Sequence, residues 1–177
     1  MSAAPEFSRR FLRERLGGAP RVEQLVADAA ERAALSARFG LVALDRLEAD
    51  VRLEAVPDGI ACRGRLKAAV VQACVVSGEP VAALVDVPFD LLFAREEALP
   101  AELELDAEAL DRLPLENGWA DIGEAVAQTL ALALDPYPRA PDGSLVAARA
   151  RLMPEEEAEA LLASTPRPSP FGRLKAR

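Results

Sequence analysis

Arg63, Arg65 and Lys67 recur at every second position of the run from Ile60 to Val81. On a strand, side chains two apart share a face, so these three cations form one row that could meet a phosphate backbone. The other face of the run carries Ile60, Cys62, Gly64, Leu66, Ala68, Val70, Cys74 and Val76, with Gln72 its only polar member. Bond-breaking chemistry has less to work with. The chain has no histidine, so Ser-His-Asp and Cys-His arrangements are impossible and the usual neutral-pH proton shuttle is missing. Neither GxGxxG nor GxxxxGK[ST] occurs, and the many carboxylates form no recognisable constellation. The expectation is a protein that is not an enzyme and carries no cofactor.

The run before the cations, Arg46 to Val56, has the complementary phase: Leu47, Ala49, Val51, Leu53 and Ala55 on one side, Arg46, Glu48, Asp50, Arg52 and Glu54 on the other. A two-residue loop at Asp58-Gly59 would set Ala55 opposite Cys62, Leu53 opposite Gly64 and Val51 opposite Leu66. The same register sets Glu54 opposite Arg63 and Asp50 opposite Lys67, which makes the cation row first of all a salt-bridged solvent face. Ser77 to Pro80 then turns the chain into a third strand, where Val81, Ala83, Val85, Val87, Phe89, Leu91 and Phe93 alternate with Asp86 and Asp90. Pro88 within it argues for an edge or a bulge. Residues 70–76 are apolar on both faces, which predicts a helix over that end of the long strand.

Around this hairpin, Val22 to Val26 predicts a short strand. Asp28 with Glu31 forms a capping-box pattern for a helix from Ala29 to Phe39, ended by Gly40. Asp121, with Glu124 three residues on, caps a second helix whose stripe is Ile122, Ala125, Val126, Thr129, Leu130, Ala133 and Leu134, stopped by Asp135-Pro136. The acidic stretch from Arg95 to Asn117 reads as loop, with a short strand at Leu103 to Leu105. A short helix is expected over Pro154 to Ala163, and the tail TPRPSPFGRLKAR reads as disordered. The fold class is therefore α+β: an antiparallel sheet of about 4–6 strands, a meander with a long hairpin, packed on one face by two or three helices. Residues 1–20 would be a flexible basic segment, 21–150 a single domain, and 151–177 a short helix and tail.

Of 21 Lys and Arg and 29 Asp and Glu, residues 1–21 hold five and two, residues 167–177 four and none, and residues 22–166 the remaining 12 and 27. So acidic a body repels nucleic-acid backbones, leaving RNA contact to the termini or to the Arg63, Arg65, Lys67 row. No apolar run approaches the roughly 20 residues needed to span a bilayer, and Met1 to Leu16 lacks an apolar signal-peptide centre, so the protein should be cytoplasmic, with Cys62 and Cys74 reduced. Trp119 reads as a packing anchor, since one Trp, one Tyr and six Phe do not supply the stacked aromatics of a single-strand binder. Tyr137 and Arg139 lie in a rigid proline-flanked segment that suits a docking edge. Phe171, beside Arg173 and Lys175, suits a short motif that orders on a partner.

Four segments in order, QACVVSGEPV, VDVPFDLLF, WADIGEAVAQTLALALDPYPRAP and PSPFGRLK, resemble the YceD family, the large ribosomal RNA subunit accumulation proteins, closest to the alphaproteobacterial form. EFSRRF and ADAAERAALSARFGL extend the resemblance towards the N-terminus. Its signature positions here are Cys74, Glu79, Pro80, Val81, Phe89, Asp121, Gly123, Glu124, Pro136 and Pro138. The resemblance implies a part in large-subunit biogenesis through 23S rRNA, with no chemistry that transfers residue by residue. Many relatives carry Cys-x-x-Cys where this chain reads Cys74-Val75-Val76-Ser77, and some carry further cysteines near Asp135 to Arg139. One cysteine without histidine falls short of a four-ligand zinc site, so no metal is expected, and packing of Val75 and Val76 would do the metal's work. Combined with the charge map, the resemblance implies an adaptor or chaperone for a basic ribosomal protein or an assembly factor, without membrane or DNA as partners. The alternatives are a direct rRNA-binding module using the cation row and the basic termini, and a ribonuclease using carboxylates with a divalent ion.

Overall fold

Two long alternations of apolar and charged residues dictate the centre of the molecule, because only a strand puts every second side chain on one face. In the computed structural model, which describes residues 6–95 and 111–141, they form β3 (Ala43–Val56) and β4 (Gly59–Ala73), followed by β5 (Pro80–Ala94). The other strands are β1 (Arg10–Leu12), β2 (Arg21–Val26), β6 (Asp111–Pro114) and β7 (Trp119–Asp121). The helices are α1 (Ala29–Phe39) and α2 (Ile122–Ala133). All of these lie in one unit of the chain, Met1–Arg139, with Ala140–Arg177 forming a second.

β2-β3-β4-β5-β6 form one sheet and β1-β7 a two-stranded second sheet. The fold is α+β as expected, but the main sheet is mixed rather than antiparallel: β6 runs parallel to β5, with Leu91 opposite Asp111. A parallel neighbour needs a crossover of about a dozen residues, and the chain from Arg95 to Leu110 is long enough to supply it. Asp111–Pro114 falls in the stretch expected as loop, and no strand was expected at Trp119–Asp121, because both are too short to alternate. The strand expected at Leu103 to Leu105 and the helix expected at Pro154 to Ala163 lie outside the described residues.

The β3–β4 hairpin is present with a corrected register. Val56 pairs with Gly59, so the loop is Pro57-Asp58 instead of Asp58-Gly59. A shift of two residues leaves every side chain on its expected face, but it exchanges the partners: Leu53 faces Cys62, Val51 faces Gly64, Asp50 faces Arg65 and Glu48 faces Lys67. Gly59 is needed in the strand because a Cβ there would stand 1.7 Å from the Phe93 carbonyl oxygen of β5. β5 carries β4 along its length and β6 only at Leu91–Ala94, which puts Pro88 on an edge, where its missing N–H costs nothing.

Leu47, Val51, Leu53, Ile60, Cys62 and Leu66 form the buried face of the sheet, at 1% exposure or less. α1 packs on β3, and α2 on β4, β5 and β1. α1 is opened by the capping box of Asp28 and Glu31 and closed by Gly40 at φ 65°, a left-handed conformation that glycine adopts without strain. The far end of the β4 run departs from expectation. β4 stops at Ala73, and Val75 and Val76 beyond it are 53% and 45% exposed.

The N-terminal segment is also not a free arm from Glu6 onward. Phe7 is fully buried, β1 pairs with β7 through Phe11 opposite Ala120, and the Arg13 guanidinium donates to the Val56 and Gly59 carbonyls. Arg9 and Arg13, two of the basic residues that suggested a solvated arm, are occupied in pinning it. Among the described residues, no helix is long and apolar enough to cross a membrane.

Candidate functional site

On the solvent face of the sheet the cation row is neutralised by β5. Arg63 Nε donates to Asp90 Oδ2 at 2.8 Å and Arg65 Nε to Asp86 Oδ1 at 2.5 Å, while Lys67 stands directly opposite Asp86. The expected partners, Glu54 and Asp50, do not close these pairs; Glu54 instead accepts from Arg52 at 2.9 Å. Arg52 and Arg63 face each other across the hairpin, and each turns aside to its own carboxylate. Hydrogen bonding from Arg65 holds the Asp86 carboxyl below its usual value. On the buried side of β4, desolvation first and Asp90 second push the Cys62 thiol up to about 12, which leaves it an inert apolar filler. The whole face sets Arg46, Arg52, Arg63, Arg65 and Lys67 against Glu48, Asp50, Glu54, Asp86 and Asp90. It is a mosaic of both signs, not a basic stripe.

A second assembly gathers Asp121, Gly123 and Glu124. Asp121 caps α2: its Oδ1 accepts from Glu124 N at 3.2 Å and from Arg9 N at 2.8 Å, and its Oδ2 accepts from Ser8 Oγ at 2.5 Å. Ile122 N donates to the Arg9 carbonyl at 2.9 Å. Gly123 permits this approach, since a Cβ there would lie 2.5 Å from Phe7 O and 2.8 Å from Arg9 N. Glu124 accepts from Arg38 at 2.7 Å, and Arg38 also donates to Glu6 at 2.9 Å. Arg9 grips Glu31 by donating from Nη1 to Oε1 at 2.6 Å and from Nη2 to Oε2 at 2.9 Å. These bonds hold the Glu124 and Glu31 carboxyls below the usual glutamate value. Ser8, Arg9 and Arg38 were not singled out from sequence, and Glu31 only as the capping partner of Asp28; their one further signal was membership of EFSRRF and ADAAERAALSARFGL, with nothing to show that those segments meet.

Beside this clasp lies a cleft of about 770 Å³ whose lining includes Arg10, Leu113, Glu116, Trp119, Glu124 and Gln128. Arg10 stands 5.3 Å above the Trp119 ring, so Trp119 is partly covered by a cation as well as packed. The lining mixes acids, cations and apolar groups.

The third assembly joins the β4–β5 turn to the segment after α2. Cys74 N donates to Glu79 O at 2.8 Å, Gly78 N to Cys74 O at 2.9 Å, and Ser77 N to Cys74 Sγ at 3.4 Å. Val75 N donates to Pro138 O at 2.9 Å, and Gln72 Nε2 to Asp135 O at 2.9 Å. Tyr137 N donates to Asp135 Oδ1 at 2.8 Å, which closes the bend. Pro138 is buried, whereas Arg139 is exposed and Tyr137 is 71% exposed. Backbone bonds therefore do the holding expected of Val75 and Val76. Among the described residues, no group of three or more His, Cys, Asp and Glu side chains is placed to hold a metal ion. Phe89 lies apart from this turn, with its ring over Gly64, where a Cβ would be 2.5 Å from it. Phe171, Arg173 and Lys175 lie outside the described residues.

No curated protein and no solved structure matches the chain. The family model described as large ribosomal RNA subunit accumulation protein YceD matches residues 62–176, a span that runs from buried Cys62 through the β4–β5 turn, α2 and the Asp135–Pro138 bend. That is well over half of the chain, and the chain belongs to the YceD family, whose name implies a role in the accumulation of large-subunit ribosomal RNA.

Proposed function

We propose that the protein is a non-enzymatic, cytoplasmic factor of large-subunit assembly, an adaptor or chaperone that holds a basic ribosomal protein or an assembly factor. The family supplies the process. The observation that carries the mechanism is the pairing of Arg63 with Asp90 and of Arg65 with Asp86: the most regular cation row in the chain already has its counter-charges within the fold. A phosphate backbone would have to displace them, and a face of balanced sign gives little long-range attraction.

The residual charge is negative. Residues 6–95 and 111–141 hold 15 basic and 18 acidic residues, and residues 96–110 add six acidic residues and no basic one. Such a molecule attracts cationic protein and repels nucleic acid. The test is affinity capture with the full chain at moderate salt. Ribosomal proteins or assembly factors should be recovered, and released as salt rises. Capture of deproteinised large-subunit rRNA alone, lost when Arg63, Arg65 and Lys67 are replaced by alanine, would instead establish the direct rRNA-binding mode.

A further inference from the structure

Among the described residues, β2 is an edge of the main sheet, with β3 on one side and no strand on the other. Ala27 N donates to Leu47 O, and in an antiparallel pair the residues that face the partner strand alternate with residues that face away. Leu25, Glu23 and Arg21 therefore bond to β3, while Val22, Gln24 and Val26 turn their N–H and C=O groups outward. Among the described residues, only the Val26 carbonyl of these outward groups has a partner, Arg9 Nη2 at 3.2 Å, and a carbonyl oxygen accepts a second bond. The side chains of the same three residues lie on the solvent face, with Val22 72% and Val26 52% exposed.

Natural edges are blunted by proline, charge or bulges. The opposite edge of this sheet follows that rule: β6 is Asp-Arg-Leu-Pro, and the open stretch of β5 carries Pro80, Asp86, Pro88 and Asp90. β2 has no proline, no lysine and no bulge, and its outward stripe is Val-Gln-Val.

We infer that the β2 edge pairs with β2 of a second copy of this chain, antiparallel about a two-fold axis through Gln24, to make a continuous ten-stranded sheet. That register alone pairs all three outward-facing residues. Centring on Gln24 matches each outward-facing residue with another: Gln24 with Gln24 of the second copy, and Val22 with Val26 twice over. Three such pairs exchange two backbone bonds each, and the exposed valines cover one another. A basic partner segment has less reason to bind here, because the stripe offers no carboxylate. One strand pair buries less than the roughly 1,200–2,000 Å² of a standard interface, so the dimer forms and dissociates with concentration.

Sedimentation velocity on the full chain, from micromolar to millimolar, reads this out. The expected mass rises from the 18.9 kDa of the monomer towards twice that value. Val22→Lys and Val26→Glu each abolish the rise, and an equimolar mixture of the two variants restores it, because the register sets the new cation of one opposite the new carboxylate of the other. Both positions are exposed, and circular dichroism confirms that the variants are folded. A wild type that stays monomeric throughout overturns the inference, as does a dimer that neither variant weakens or a mixture no heavier than its components. A monomeric wild type that loses a captured protein on Val22→Lys also overturns it, by assigning the edge to a foreign strand.

Discussion

Asp121 offers two carboxylate oxygens to three donors, Ser8 Oγ, Arg9 N and Glu124 N, so one side chain both starts α2 and fastens the N-terminal segment to it. Loss of an N-cap costs about 1 kcal/mol, and a charge-assisted bond adds a comparable amount. Asp121→Ala should therefore lower the unfolding free energy by about 2 kcal/mol, read from urea melts, and Asp121→Asn by less. The ion pairs behind it give the fold a pH dependence of known sign. Glu31, hydrogen-bonded to Arg9, and Glu124, hydrogen-bonded to Arg38, are both held below the ordinary glutamate value of 4.5. A carboxyl depressed on folding contributes stability that is fully present above its unfolded pKa and lost as pH falls through its folded one. Stability should thus be flat with respect to these two groups above pH 4.5 and decline below it. The double variant Glu31→Gln, Glu124→Gln should start lower and decline less steeply, which melts at a series of pH values would measure.

Elements with a strong period or a complete cap were legible from sequence: α1 through Asp28, Glu31 and Gly40, α2 through Asp121 and Glu124, and the strand faces through two-residue alternation. What escaped were relations that carry no local pattern. Asp111–Pro114 is a strand only because β5 offers it an edge, and β1 exists because Gly123 lets the Phe7–Arg9 backbone reach the first turn of α2. The hairpin register failed for a related reason: an Asp-Gly pair is a strong turn signal, but the contact that fixes Gly59, the Phe93 carbonyl, lies on a third strand. The same logic separated the site from its signature. Cys74, Pro136 and Pro138 were visible as residues, while the bond from Val75 N to Pro138 O that unites them was not. Replacing Gly59 distinguishes the two hairpin registers. With Gly59 in the strand, Gly59→Ala forces a backbone shift and should cost about 3 kcal/mol, whereas Asp58→Gly should cost little. If Asp58-Gly59 formed the loop, Gly59→Asn would be well tolerated, so a near-wild-type urea midpoint for that variant would restore the original register.

At the scale of the whole molecule, charge is distributed by segment. The 15 basic and 18 acidic residues of the described part leave a small excess, and much of their charge is closed in pairs such as Arg9–Glu31, Arg38–Glu124 and Arg63–Asp90. Residues 96–110 include Glu96, Glu97, Glu102, Glu104, Asp106 and Glu108 and no lysine or arginine. If attraction for a basic protein drives binding, these six carboxylates should govern it, because a segment of one sign contributes more net field than a face of mixed sign and so sets both encounter rate and salt dependence. Replacing the five glutamates by glutamine and Asp106 by asparagine should weaken the complex with a captured ribosomal protein by about tenfold, or about 1.4 kcal/mol, and flatten its salt dependence. Neutralising Arg63, Arg65 and Lys67 should leave that affinity unchanged or slightly raised, since it frees Asp86 and Asp90. Calorimetric titrations at two salt concentrations separate these outcomes. Equal binding by the six-fold variant would remove the electrostatic basis of the adaptor role, and a loss confined to the cation-row variant would move the interface to the solvent face of the sheet.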